Sequence, residues 1–160
     1  MWRTDGTKLS GDYGTWGGQE FELRGTDPND DGTLTLVKKG GNAPGPGWRT
    51  HDHKSQFPGP RFSHTRRVPA EEVTNIHAVR ATGEFKPGLQ VKILAEDSEG
   101  KVAVVAGDDF ATEEKWDLIE DYGFHTFHNE PVERSGVFGW LSAEKINNVT
   151  SEIYWRKDTN

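Results

Sequence analysis

Short runs of alternating apolar and polar residues dominate the chain. Phe21 and Leu23 alternate with charged neighbours, Leu34 and Leu36 with threonines, and Val91 and Ile93 with polar residues. A period of two is that of a strand with one wet face. The acidic-Gly pairs Asp31-Gly32 and Glu99-Gly100 each stand before such a run, as the turn of a hairpin does. Pro69 before Ala70-Glu71-Glu72-Val73, and Ser142 before Ala143-Glu144-Lys145-Ile146, predict two brief helical turns opened by Pro in one case and a Ser cap in the other. Each turn is followed by a further strand, at Ala78 to Ala81 and at Glu152 to Trp155.

These elements recur at an offset of about 70 residues, the kind of period that marks an internal repeat. Gly11-Asp12-Tyr13, Gly18 and Phe21-Glu22-Leu23 return as Gly83-Glu84-Phe85, Gly88 and Val91-Lys92-Ile93. The run Asp31 to Val37 returns as Glu99 to Val105, and Val68 to Ile76 returns as Leu141 to Val149, keeping the Ala-Glu pair, an Asn and three apolar positions. The order of strand, hairpin, long excursion, strand, helical turn and strand resembles the SH3-like barrels. The expected fold is therefore mostly β: two duplicated small SH3-like β-barrel units, residues 1–80 and 81–160, with short helical turns.

What interrupts the two units differs. The first carries a Gly- and Pro-rich loop over 39–62, read as lacking regular structure and longer than ordinary connections. The second carries an excursion over 107–139 in which Asp108, Asp109, Glu113, Glu114, Asp117, Glu120 and Asp121 crowd around Trp116 and Tyr122. Residues 1–80 hold 11 basic and 10 acidic side chains, and residues 81–160 hold 8 and 16, so the net charge of −7 belongs to the second unit. Such a balance disfavours nucleic acid and anionic lipid and suits a basic partner. Six Trp, eight Phe and three Tyr supply core material to a chain that is only 32% hydrophobic. The lack of Cys removes disulfides, thiolate metal sites and cysteine nucleophiles. The opening residues show no signal-peptide pattern and no apolar run reaches membrane-spanning length, so a cytoplasmic protein is expected, with no membrane partner.

Candidate chemistry is sparse. Asp27, Asn29, Asp31 and Gly32 open like a calcium loop, but Lys38 stands where the bidentate Glu belongs, so the segment reads as a hairpin turn. His51 and His53 flank Asp52 with both rings on one side, but two ligands do not make a metal site, and His64, His125 or His128 would have to supply a third. No nucleophile elbow, zincin helix, P-loop or dinucleotide fingerprint occurs, and neither enzyme chemistry, cofactor nor metal is expected. Arg49, Lys54, Arg61, Arg66 and Arg67 interleave with Trp48, Phe57 and Phe62, a stacking pattern suited to single-stranded nucleic acid.

An acidic, cysteine-free chain of duplicated small barrels with exposed loops and no catalytic constellation resembles the immunity proteins of bacterial polymorphic toxin systems. Among them it is similar to the immunity factors of the tuberculosis necrotising toxin class. That resemblance implies an antitoxin that blocks the active site of a cognate toxin of the NAD glycohydrolase kind, with a basic cleft. The expected toxin-binding residues are Asp108, Asp109, Glu113, Glu114, Trp116 and Asp117, with Trp48, Arg49, His51, Asp52 and His53 as a second contact. The alternative is a tandem SH3-like module binding a peptide or single-stranded nucleic acid.

Overall fold

The computed structural model describes residues 1–54, 58–107 and 109–156. The chain is mostly β. Its strands are β1 (Gly11–Trp16), β2 (Gln19–Leu23), β3 (Thr33–Lys39), β4 (Arg49–Asp52), β5 (Phe62–Pro69), β6 (Thr74–Lys86), β7 (Leu89–Glu96), β8 (Lys101–Ala106), β9 (His125–Thr126), β10 (Val137–Ser142) and β11 (Asn147–Trp155). They form one curled antiparallel sheet in the order β4-β5-β3-β2-β1-β6-β7-β8-β10-β9, with β11 on the other edge of β6. Among the described residues the one α-helix, α1 (Thr112–Tyr122), lies between β8 and β9, and single 3₁₀ turns at Ala70–Glu72 and Ala143–Lys145 precede β6 and β11.

β6 organises the molecule. Along one edge its first part pairs with β1, from Thr74 to Val79, and its second part with β7, from Thr82 to Lys86. Its opposite edge carries β11 from His77 to Glu84. Ser10 fills the gap where β1 gives way to β7: its buried hydroxyl donates to Ala81 O at 3.0 Å and accepts from Ala81 N at 2.8 Å, while Ser10 N donates to Ile93 O. The division at 80/81 falls inside this strand, so the halves of the chain share it.

Two apolar clusters lie on either side of that junction. Leu23, Leu34, Leu36, Val68 and Val73 form one, with Trp16, Phe21 and Trp48 against it. Val91, Ile93, Val102, Val104, Phe110, Leu118, Phe124, Val137 and Leu141 contribute to the other. The alternation read from the sequence explains them, since every second residue of β3 and β7 faces inward, and burying each such Leu or Ile contributes about 1.5–3 kcal/mol.

Gly14 and Gly83 admit close packing at matching places in the sheet. A Cβ on Gly14 would stand 2.7 Å from Val73 Cγ1, and one on Gly83 would stand 2.3 Å from Ile146 Cγ2. Each lies where the register slips by one residue, opposite Asn75 and Asn148, which take left-handed φ of 54° and 52°. Asn tolerates that conformation better than other side-chain-bearing residues.

The long excursions are more ordered than the sequence suggests. The 39–62 segment was expected to lack regular structure, yet it contains β4, a polar edge strand that pairs Arg49 with Thr65 and Asp52 with Phe62. Backbone pairing to β5 offsets the poor strand propensity of its Gly- and Pro-rich flanks. The 107–139 excursion contains α1, which the sequence reading did not anticipate.

Candidate functional site

The acidic excursion becomes a site through α1. Its first turn is closed by Glu114, whose Oε1 accepts from Ala111 N at 2.8 Å, and its end by Gly123, at φ 72°, whose N donates to Ile119 O. Leu118 is buried and Ile119 half-buried against the β7–β10 core. Lys115 is buried too, and its Nζ donates to Val132 O at 3.3 Å and Ser135 O at 3.0 Å, which fastens the connection before β10 to the helix.

The opposite face is exposed and carries Glu113, Trp116, Asp117, Glu120 and Asp121. Their spacing of i, i+3, i+4, i+7 and i+8 is one stripe of a helix. Trp116 is 45% exposed at its centre, and Tyr122 is 39% exposed at its end. Of the residues expected to contact a toxin, Glu113, Trp116 and Asp117 thus lie together. Glu114 caps the helix, and Asp109 Oδ2 accepts from Gln90 N at 3.1 Å, ordering the approach to β7. Asp108, like Phe57, lies outside the described residues.

The second expected contact divides between two places. Trp48 packs on Phe21, ring centroids 5.8 Å apart, and belongs to the first apolar cluster. Arg49 and His51 share one side of β4, with His51 Nε2 2.8 Å from Thr65 Oγ1. His53 Nε2 lies 2.7 Å from Ser63 Oγ, and burial beside His51 pushes the His53 pKa down. Asp52 receives both Arg61 Nε and Nη2 at 2.9 Å, and that fork holds its carboxyl down at about 2. The basic-aromatic run predicted for nucleic acid is used in part within the chain: Arg66 lies 4.8 Å from the Trp16 ring and Arg61 5.1 Å from that of Phe62. Among the described residues no group of three or more His, Asp or Glu is arranged to hold a metal ion.

The two excursions meet across a cleft of about 660 Å³. The first contributes Gly40, Pro60 and Arg61, and the second Tyr122 and His125 from the end of α1 and from β9, with Trp140 of β10 beside them. Sequence reading missed this convergence, because nothing in the local pattern brings residue 61 beside residue 122. The Asp52–Arg61 fork therefore links an expected contact to the rim of the cleft.

No family model, curated protein or solved structure matches the chain. No helix among the described residues is long and apolar enough to cross a membrane.

Proposed function

We propose that the chain is an immunity protein built from two SH3-like units, which binds a cognate toxin domain and occludes its active site. The observation that carries the reading is the exposed face of α1, a row of four carboxylates around one solvent-facing Trp. Carboxylates on a half of the chain with net charge −8 speed encounter with a basic cleft, and a single aromatic anchor supplies much of the affinity at such contacts. An eleven-residue helix is only about 16 Å long, too short for the roughly 800 Å² per partner of a stable complex. The cleft beside it, with Arg61 and Trp140 on its rim, completes the surface.

The duplication is supported by pairing. Tyr13 with His77 and Thr15 with Thr74 correspond to Thr82 with Thr150 and Glu84 with Asn147, and the one-residue slip falls at the same place in both sets. Leu34 with Val68 likewise corresponds to Val102 with Leu141. On this alignment Gly14, which faces Phe21, takes the place of Gly11 as the counterpart of Gly83, which faces Val91, so the sequence match of Gly11 with Gly83 is three residues out of register.

The test is co-purification from the native organism, followed by identification and separate purification of the retained protein. A toxin whose activity, NAD hydrolysis in the first assay, falls in proportion to added chain and stops at one equivalent supports the reading. A retained protein whose activity is unchanged by saturating chain overturns it.

A further inference from the structure

The wet face of the first half of the sheet holds a second concave site, distinct in charge from α1. Thr65 of β5 stands opposite Arg49 of β4, and Thr35 of β3 opposite Arg67 of β5. Residues facing each other in an antiparallel pair point to the same side of the sheet. His51 follows Arg49 at the strand period, and Arg24 N donates to Thr35 O, which carries the row on from β2. These residues surround a cavity of about 510 Å³, completed by Gly47 and Arg66.

Three arginines on one side of the sheet, Arg24, Arg49 and Arg67, thus line one hollow in a protein whose net charge is −7. Arg67 reaches Asp31 at 3.3 Å through an exposed ion pair, which is worth little in water, and Arg66 lies over Trp16. Among the described residues Arg24 and Arg49 make no ion pair. A bound anion would relieve their mutual repulsion, and the planar fork of Arg matches two oxygens of a phosphate at once. Thr65 Oγ1 and His51 Nε2 add polar groups to the wall. The volume falls within the roughly 300–1,000 Å³ of small-ligand sites, more than a bare phosphate fills.

We propose that this cavity binds a phosphate-bearing small molecule of nucleotide size, with its phosphate held by Arg24, Arg49 and Arg67. No residue of α1 lines the cavity, although Arg49 and His51 also belong to the second expected toxin contact, and the test needs no protein partner.

The experiment is calorimetric titration at low salt with ATP, with inorganic phosphate as competitor and a short single-stranded RNA titrated separately. One saturable ATP site that inorganic phosphate displaces is expected. The double variant Arg24→Ala/Arg49→Ala should bind ATP at least about tenfold more weakly, a loss of about 1.4 kcal/mol. Both side chains are exposed, so the fold should survive. Arg24→Lys/Arg49→Lys should recover part of the affinity, and Arg80→Ala, outside the cavity, should bind as the parent does. Absence of saturable binding to ATP and phosphate, equal binding by the double Ala variant, or binding of RNA alone would each overturn the proposal.

Discussion

At Ser10 a single hydroxyl satisfies both backbone groups of Ala81 in the middle of β6. Ser10→Ala leaves a buried donor and acceptor unpaired, and stability should fall by about 1–3 kcal/mol, read as a lower urea midpoint with an unchanged slope. Gly83→Ala should cost a similar amount for a different reason, since the new methyl meets Ile146 Cγ2 at 2.3 Å and one of the two must shift. Asp52 supplies a test by pH. Its pKa is depressed by the Arg61 fork, so the stabilisation is complete above the ordinary carboxylate value and disappears only as pH falls through about 2. A carboxyl carbon titration by NMR should keep Asp52 ionised at pH 3, and a midpoint near 4 would show that the fork does not form in solution.

For the elements, α1 separates a face that folds from a face that docks. Leu118→Ala should destabilise the chain by about 2–5 kcal/mol, whereas Trp116→Ala should change stability by no more than about 0.5 kcal/mol in the same denaturation series. Equal losses would mean that Trp116 serves the core. The strands around the two clusters were legible because Phe21, Leu23, Leu34, Leu36, Val91 and Ile93 keep a period of two, and the 3₁₀ turns because Pro69 and Ser142 stand just before them, although Pro69 lies outside its turn and Ser142 makes no side-chain capping hydrogen bond. Helix α1 was not legible. Its inward face carries Lys115 and its outward face Trp116, the reverse of the polarity from which an amphipathic helix is recognised. β4 was hidden for a related reason, as Arg49-Thr50-His51-Asp52 has no apolar residue and becomes a strand only through pairing with β5. The carboxylates of the candidate site were visible as a cluster, but their division into Glu113 and Asp117 outside, and Glu114 and Asp109 on backbone amides, depends on helix phase and chain path. The arginine cavity was invisible in another way, since Arg24 just after β2, Arg49 of β4 and Arg67 of β5 meet only in the folded sheet.

Across the whole molecule, charge and shape are distributed unevenly about β6. The half before it is nearly neutral and carries the arginine cavity, and the half after it carries the acidic helix, while the loops of both border one cleft. A surface organised in this way predicts a partner contact that is both salt-sensitive in its association rate and anchored by Trp116. The most direct test of the docking face is the affinity of the purified cognate toxin for the parent chain and for the Trp116→Ala and Glu113→Lys/Asp117→Lys variants, at low and high salt. The account predicts that Trp116→Ala weakens binding at least about tenfold at both salt concentrations, chiefly through faster dissociation, and that the charge reversal slows association most at low salt. Parent-like affinity and rates in both variants would contradict it.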